Sequence, residues 1–370
     1  MASIWDDVRL DVPAATRHVY LNAASASPVL RPVRAAVDRH YAEMEADGDL
    51  AWERWLERAE AARAKVAAFV GADPAEIAFV PNTSTGINFV IDLIGPCGPI
   101  VTDTLEFPTM TLPWIHRGVD VQFVEPDRGV IVPEMFAPSA TTARTIVLSH
   151  VQFSNGCRQD LEAFGATKGD RWLVVGGSQS TGVFPVDVRR QRLDAFVASG
   201  HKWLCAGYGA GFLYTSRDLL RAFRPRTMGW LSVEHPFGFD IRRYTLLPDS
   251  RRLEMGCPPF AGIFALGAAV EYWSAIGVDR LAERVLALNT HLTDALARVG
   301  VDVLSPLGVH RSGETLVRLA EPARAVQFLR ERNVFVSEKP EGVRIATHVY
   351  NTEADIDAAA AAISAYVGRR

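Results

Sequence analysis

The sequence contains the stretch Ser199-Gly200-His201-Lys202-Trp203, which follows a predicted strand at 194–198 and precedes a glycine-rich run at 207–211. A lysine in such a turn can form a Schiff base with a carbonyl compound. On its own the pentapeptide is a modest signal, because a lysine in a loop is most often a solvated surface charge. Its meaning therefore depends on the segments around it.

Short apolar runs rich in Val, Ile and Phe alternate with helical or loop patterns between about residues 76 and 215. This alternation predicts an α/β fold with a largely parallel sheet that helices cover on both faces. Ligands of such folds bind at the carboxyl ends of the strands. The predicted strands are 76–80, 100–102, 119–124, 145–149, 172–175, 195–198 and 211–214.

Helical spacing of apolar residues predicts helices on both sides of this block. Their predicted bounds are 51–70, 260–276 and 280–299. The later segments alternate strand and helix patterns, which indicates a small α+β domain at the C-terminal end of the chain. These segments are 314–319, 323–331, 342–346 and 353–367.

Composition narrows the class of protein. The 370 residues exceed the usual limit of a single core, so one large and one smaller domain are expected. With 48% hydrophobic residues, 22% charged residues and a net charge of -4, the chain is typical of soluble globular proteins, and nucleic acid is disfavoured as a partner. No run approaches roughly 18 apolar residues and no signal peptide is evident, so we expect a cytoplasmic protein without a membrane segment.

The cysteines follow no metal-binding or disulfide pattern. None lies in a CxxC pair or beside a histidine-rich stretch, so neither a zinc site nor a disulfide framework is predicted. Each is most simply a small apolar core residue. The four positions are Cys97, Cys157, Cys205 and Cys257.

Residues 79–88 fit a strand that runs into a helix, with Thr83 and Ser84 at the turn. A helix start presents free N–H groups and a partial positive charge, which suits a phosphate dianion. Thr and Ser are also favoured as helix caps, so the segment alone does not distinguish the two roles. The lysine motif downstream favours phosphate binding.

Two motifs together resemble the class V aminotransferase family. Gly176-Gly177-Ser178-Gln179 and Ser199-Gly200-His201-Lys202 have the separation of that family's Asp-Gly-Ala-Gln and Ser-Gly-His-Lys motifs. The family comprises fold-type I enzymes that use pyridoxal 5'-phosphate (PLP), such as cysteine desulfurases, kynureninase and isopenicillin N epimerase. The resemblance covers roughly residues 17 to 365. It implies an N-terminal arm at 1–16, a large PLP-binding domain at 17–255, a small C-terminal domain at 256–370, and a homodimer with shared active sites.

The resemblance implies roles for the cofactor-binding residues. Lys202 would hold PLP and move the proton at the substrate's α-carbon, which requires a desolvated amine with a lowered pKa. Gln179 would hydrogen-bond the phenolic oxygen of the ring, and Phe107 would stack on the ring where desulfurases carry a histidine. The residues expected at the cofactor phosphate are Thr83, Ser84, Ser199 and His201.

Other positions are expected at the amino-acid substrate or at the subunit boundary. Arg344 would clamp a substrate carboxylate, for which a planar guanidinium is suited. Asn22 would help to form the pocket, and Trp230 would be a wall of it or else a packed surface side chain. Cys257 stands where relatives have a threonine that reaches across the dimer to the partner's PLP phosphate, and it is a poorer donor.

Three departures from the family pattern bear on the reaction. Gly176 stands where the family has an aspartate that keeps the pyridine nitrogen protonated, so the ring is a weaker electron sink unless another group replaces that carboxylate. The segment 333–341 runs directly into Arg344, which leaves no room for the cysteine-bearing loop of one group of desulfurases. Phe153, with Ser154 and Asn155 as shifted candidates, replaces an asparagine near the ring oxygen.

The favoured function is carbon–sulfur β-elimination from a cysteine S-conjugate by a homodimeric PLP enzyme. The second alternative is decarboxylation or oxidative deamination of such a conjugate, as a step of natural-product assembly. The third is transamination or epimerisation. A non-catalytic binding protein with the same fold is the alternative from another class. A nucleotide-binding protein lacks support, because no GxGxxG or Walker-type loop follows an early strand.

Overall fold

The computed structural model describes residues 3–95, 98–139 and 141–368, and Cys97 lies outside them. The helices are α1 (Ile4–Leu10), α2 (Pro13–Arg17), α3 (Arg31–Asp47), α4 (Trp52–Val70), α5 (Thr83–Ile94), α6 (Pro108–His116), α7 (Leu161–Thr167), α8 (Arg217–Ala222), α9 (Phe260–Ile276), α10 (Val278–Arg298), α11 (Pro322–Arg330) and α12 (Glu353–Val367). The strands are β1 (Val19–Tyr20), β2 (Ile77–Phe79), β3 (Ile100–Asp103), β4 (Val121–Val124), β5 (Thr145–Ser149), β6 (Trp172–Gly176), β7 (Ala195–Ser199), β8 (Gly211–Thr215), β9 (Glu314–Arg318), β10 (Val334–Phe335), β11 (Ser337–Lys339) and β12 (Gly342–Ala346).

A seven-stranded sheet forms the centre of the molecule, with strand order β2-β8-β7-β6-β5-β3-β4. Strand β8 runs antiparallel to both of its neighbours. The pairs from β7 to β4 are all parallel. The mainly parallel α/β sheet predicted from the sequence is thereby confirmed.

Strand bounds differ from the predicted ones by one or two residues, for local reasons. Glu76 belongs to a short 3-10 turn at Pro74–Glu76, so β2 begins one residue later than predicted. The N–H of Val119 bonds the carbonyl of Trp114 and closes the end of α6, so β4 begins at Val121. Prediction from periodicity does not detect such end effects.

Both faces of the central sheet are buried, as the continuous apolar strands predict. Side chains of β7 alternate between two cores: Ala195 and Val197 pack with α5 on one face, whereas Phe196 and Ala198 pack with α4 and α9 on the other. This alternation follows from the two-residue period of a strand. The sheet is therefore the middle layer of a three-layer structure, and its strand ends are the places left for a ligand.

A second core surrounds the three-stranded antiparallel sheet β11-β12-β9. Helices α10, α11 and α12 supply its other apolar side chains, and α10 packs along α12. The short pair β1 and β10 is parallel and ties the N-terminal segment to this part of the chain. The arrangement agrees with the predicted α+β character of the C-terminal segment, while the boundary at residue 255 stays a prediction.

The long apolar helix predicted at 260–276 is α9, with the same bounds. Leu266, Val270 and Trp273 are fully buried, and α9 packs along both α3 and α4. Within the described residues no single helix is long and apolar enough to cross a membrane, although α9 and α10, bent by 80° at their junction, meet length and composition criteria as a pair.

Candidate active site

A cavity of about 380 Å³ opens at the carboxyl ends of the parallel strands. Ser149, Gly176 and Ser199, the last residues of β5, β6 and β7, all line it. Parallel strands end on the same edge of a sheet, which is why these residues meet. The full lining is Ala24, Ser25, Asn82, Thr83, Ser84, Phe107, Thr109, Met110, Ser149, Phe153, Gly176, Ser178, Gln179, Ser199, His201, Lys202, Lys339 and Arg344.

Lys202 reaches into this cavity from the turn that follows β7. Burial lowers the pKa of its amine to about 8; the Glu314 carboxylate opposes that shift, and the charges of Arg344 and Lys339 add to it. Its Nζ lies 5.7 Å from the centre of the Phe107 ring. A larger fraction of this amine is therefore neutral near physiological pH than in an exposed lysine, as a nucleophile or base requires.

The start of α5 forms one end of the cavity and is rich in hydroxyl groups. Thr83 Oγ1 lies 2.6 Å from Ser199 Oγ and also bonds the Ser178 hydroxyl. Ser84 Oγ lies 2.7 Å from Thr109 Oγ1. With the N–H groups of the first helical turn, these hydroxyls make an anion-binding end.

Gln179 and His201, two further residues predicted at the cofactor, line the cavity together with Lys202. Trp203 donates its indole N–H to Gln179 Oε1 at 2.9 Å, so the two amide hydrogens are on Nε2, and one of them goes to the Ala24 carbonyl at 3.0 Å. The second amide hydrogen is available to a ligand. The His201 ring stacks on Tyr208 at 4.7 Å, and burial, with the Lys202 charge, lowers the His201 pKa to about 4.

Arg344 is buried in β12 and is held in place from several sides. Its Nη1 donates to the Phe153 carbonyl at 2.9 Å and to Glu314 Oε2 at 3.3 Å, and Nη2 donates to Ser25 Oγ at 2.9 Å. Burial raises the pKa of Glu314 to about 7, against the lowering effect of Arg344 and Lys202. Glu314 is thus the carboxylate that faces the cationic groups Lys202, Lys339 and Arg344.

The remaining wall is apolar and carries a second lysine. Phe107 and Phe153 meet edge to face with their ring centres 5.0 Å apart. The Nζ of Lys339 lies 4.1 Å from the centre of the Phe153 ring. Burial, then the Arg344 charge, lowers the pKa of Lys339 to about 8.

The space beside Gly176 is filled. A Cβ atom at this position would lie 3.0 Å from Met110 Sδ and 3.2 Å from Ser149 Oγ. An aspartate side chain, which the family resemblance implies here, would therefore displace Met110 or Ser149. Met110 and Ser149 therefore occupy the space that a longer side chain at position 176 would need.

Three predicted residues do not line the cavity within one chain. Asn22 accepts a hydrogen bond from the Ser337 hydroxyl, which in turn lies 3.3 Å from Arg344 Nη2. Trp230 lies in a separate surface groove formed by residues 228–245, and Cys257 is exposed. The roles of Trp230 and Cys257 stay predictions for an assembly of two chains.

Sequence reasoning did not select Lys339, Glu314, Met110 or Ser149. Lys339 and Glu314 lie in strands on either side of β12, and the pairings Ser337 with Arg344 and Leu316 with Arg344 bring them near the arginine. Residues two apart in a strand lie on the same face, so Lys339 shares a face of β11 with Ser337, which pairs with Arg344. This spacing is the signal in the sequence that could have identified Lys339. The pairing of Glu314's strand with β12 is not readable from sequence alone.

A lysine at the carboxyl edge of a mainly parallel sheet, facing a hydroxyl-rich helix start, defines a fold-type I PLP-dependent enzyme. The model of the aminotransferase class-V family matches residues 19–359, and the chain belongs to this family. Its cofactor is PLP.

Relatives span nearly the whole chain. The chain is 27% identical to the uncharacterized aminotransferase YcbU of Bacillus subtilis (strain 168), with 96% of each chain covered. It is 29% identical to a probable cysteine desulfurase of Methanothermobacter thermautotrophicus, with 95% of each covered. The apo structure of a cysteine desulfurase from Thermococcus onnurineus NA1 has a TM-score of 0.89 at 24% identity and covers 98% of both chains, which shows a common fold.

The described residues fit PLP. The hydroxyl-rich end at Thr83 suits its phosphate, the free amide hydrogen of Gln179 suits its phenolic oxygen, and the Lys202 amine suits its aldehyde. Met110 and Ser149 limit the space that remains for the cofactor beside Gly176. The group at the ring nitrogen differs from the aspartate that the family pattern implies.

We expect the rate of PLP capture by the apo-protein to rise with pH about a midpoint near 8. The neutral amine of Lys202 is the reacting form, and its pKa is lowered to about 8 from 10.5, so the neutral fraction grows through this range. Glu314→Gln removes the charge that raises the Lys202 pKa and moves the midpoint to lower pH. Growth of the cofactor's visible absorption band measures the rate, and Lys202→Ala is the control without a band. A midpoint near 10 would contradict the assignment.

Proposed function

We propose that this protein catalyses carbon–sulfur β-elimination from cysteine S-conjugates, which releases a thiol, pyruvate and ammonia. One observation carries the proposal: Lys202, Arg344 and Lys339 share a single cavity with aromatic walls, and no cysteine of the described residues lines it. The cavity thus offers a base, a carboxylate clamp and an acid, without the nucleophile of a persulfide reaction. The chain's membership of a PLP-dependent family supports an enzyme of this kind.

The cofactor would be held by residues already described. The phosphate is assigned to the hydroxyls and N–H groups at the start of α5 and to the turn after β7. Bound PLP supplies an electron sink for the bond broken at the substrate's α-carbon. Phe107 would stack on the ring, and Gln179 would donate to its phenolic oxygen. The phosphate ligands proposed are Thr83, Ser84, Ser199 and His201.

Arg344 binds the substrate carboxylate. The guanidinium lines the cavity. Its buried Nε has no hydrogen-bond partner among the described residues. Ser25 and the Phe153 carbonyl fix the guanidinium plane, which gives the carboxylate a defined direction. Because Arg344 and Lys202 line the same cavity, a substrate held in this way would have its α-carbon within reach of Lys202, whose Nζ would remove the α-proton.

Lys339 is assigned to the leaving sulfur. When the Cβ–S bond breaks, the sulfur takes the electron pair and receives a proton from the Lys339 ammonium. The pKa of Lys339, lowered to about 8, is close to the value of about 8.5 of an ordinary thiol, which favours proton transfer between them. Phe107 and Phe153 supply an apolar surface for the sulfur substituent.

The cysteines support elimination over desulfuration. Burial raises the pKa of Cys157 to about 11 and that of Cys205 to about 12, so both stay protonated thiols. The thiolate is the nucleophilic form, and neither residue lines the cavity. Cys257 is exposed and outside this cavity. A persulfide-forming cysteine is therefore not positioned in the described part of one chain.

Product analysis tests the proposed reaction. Incubation of the holoenzyme with S-alkyl and S-aryl cysteine conjugates should give thiol, pyruvate and ammonia in equal amounts. Carbon dioxide would instead favour decarboxylation or oxidative deamination, a keto acid that retains the sulfur would favour transamination, and the D-isomer would favour epimerisation. No turnover with any conjugate, despite a Lys202-dependent cofactor band, would reject the elimination proposal.

Lys339→Gln should slow elimination according to the leaving group. We expect kcat to fall by about 10- to 100-fold for alkyl thiols, which need a proton to leave, and to change little for aryl thiols of low pKa. Lys65→Gln is the matched control, because Lys65 is an exposed surface lysine paired with Glu271. An equal loss for both classes of conjugate would show that Lys339 binds substrate and does not protonate sulfur.

We further propose a homodimer that joins through the surface segment 228–245. This segment exposes a group of large apolar side chains, which is typical of an interface. The exposed Cys257 would then approach the partner's cavity, as the sequence predicts, and Trp230, which the sequence predicts as a pocket wall or a packed surface side chain, would be the wall of the partner's pocket. The exposed side chains are Trp230, Phe237, Phe239, Ile241 and Tyr244.

Ile241→Asp should weaken the dimer, because Ile241 is 92% exposed in one chain and would be buried by a partner. Light scattering after size-exclusion chromatography should give twice the chain mass of 40.5 kDa for the unaltered protein and a shift toward the single chain for the variant. Val309→Asp changes an aliphatic residue that is 79% exposed on a different surface and serves as the control. A monomeric unaltered protein would reject the proposal.

A further inference from the structure

The ring nitrogen of PLP has no carboxylate partner at position 176, and the cavity points to a different one. Most of the polar side chains that line the cavity already form a hydrogen bond with a neighbouring residue. Ser178 and Ser199 bond Thr83, Thr109 bonds Ser84, Asn82 caps α5, and Ser25 bonds Arg344. Among the polar side chains that line the cavity, Ser149 is the one that adjoins Gly176.

Ser149 is paired with Gly176 in the register of β5 and β6, so both lie at the same level of the sheet edge. Its Oγ is 3.2 Å from the place where a Cβ at 176 would be. A ligand that approaches Gly176 therefore meets the serine hydroxyl. Met110 fills the other side of this space and offers only a thioether.

Behind Ser149 lies the buried carboxyl group of Glu106. Ser149 Oγ donates to Glu106 Oε2 at 2.7 Å, and the Phe107 N–H donates to the same oxygen at 3.2 Å. Oε1 accepts from the Ser149 N–H and from Gln152 Nε2. Peptide N–H groups can only donate, so these bonds use the lone pairs of both oxygens and favour an ionised carboxylate.

Asp103 lies next to this group and shares the Gln152 amide with it. Burial and the nearby Glu106 charge raise the pKa of Asp103 well above its usual value. Burial raises the pKa of Glu106 as well, but the hydrogen bonds from Ser149, Gln152 and the Phe107 N–H oppose that rise. A proton held by the two carboxyl groups is accordingly favoured on Asp103. Glu106 then keeps its charge, and the Ser149 hydroxyl hydrogen stays directed at Glu106.

We propose that Ser149, oriented and polarised by Glu106, accepts a hydrogen bond from the protonated ring nitrogen of PLP and replaces the carboxylate missing at Gly176. With its hydrogen committed to Glu106, the serine oxygen presents lone pairs to the cavity. The negative charge of Glu106 then stabilises the ring cation one hydrogen bond away. Ser149 contacts the cofactor, and Glu106 is a positioning residue. The inference rests on PLP binding in this cavity and not on the reaction catalysed.

The test measures the protonation state of the PLP ring nitrogen directly. Protein loaded with 15N-labelled PLP should show the 15N shift of a protonated ring at neutral pH. Ser149→Ala should lower the pKa of the ring nitrogen so that its protonation falls by about tenfold or more at a given pH, and Ser149→Thr, which keeps the hydroxyl, should restore it. Glu106→Gln should act in the same direction as Ser149→Ala.

Ser305→Ala is the matched control, because this buried hydroxyl accepts from the Leu316 N–H and does not line the cavity. An unprotonated ring in the unaltered protein, or a 15N shift that Ser149→Ala leaves unchanged, would overturn the proposal. A shift that responds to Ser149→Ala but not to Glu106→Gln would remove Glu106 from it. Failure of all variants to bind PLP would reject the site itself. Since none of these readings uses turnover, they are independent of whether the enzyme eliminates thiols.

Discussion

Partial removal of the Lys202 amine from water, beside two other cations, is the constraint on which the site depends. Burial alone disfavours the charged form of a lysine, and the charges of Arg344 and Lys339 act in the same direction. Glu314 is the carboxylate that opposes them. The cavity thus has an excess of positive charge, which a phosphate and a carboxylate would neutralise. A cofactor and a substrate that are both anionic suit this balance.

The fold brings these groups together from two sheets. Strands β5, β6 and β7 end in the cavity because parallel strands share one carboxyl edge, and they supply Ser149, Gly176 and the turn with Lys202. Arg344, Glu314 and Lys339 come from the smaller antiparallel sheet, where β12 lies between β11 and β9. The N-terminal segment joins both, through the bridge of Asn22 to Ala346 and the Gln179 bond to Ala24. The chemistry therefore depends on contacts between residues far apart in sequence.

This separation explains how much could be predicted. The lysine motif and the strand pattern predicted the fold and the elements that carry Thr83, Gln179, Ser199 and Lys202, because each of these signals is local. Arg344 was found by its local motif as well. Glu314 was missed because its importance comes from a strand pairing 30 residues apart, and Ser149 because its hydroxyl becomes relevant only beside Gly176. The sequence revealed that a carboxylate was absent at 176, but packing reveals what occupies its place.

The departures from the family pattern have one physical effect in common. Phe107, Phe153 and Gly176 stand where the family resemblance implies histidine, asparagine and aspartate, and Met110 fills the space beside the glycine. Compared with that expected pattern, these three positions carry no polar side chain, and the wall that they form is apolar. A drier wall strengthens the electrostatic interactions that remain. It is consistent with the low pKa of both Lys202 and Lys339, for which burial is the largest cause. An apolar wall and two amines of lowered pKa thus go together in this cavity, because the burial that removes water from the wall also disfavours the charged form of both lysines.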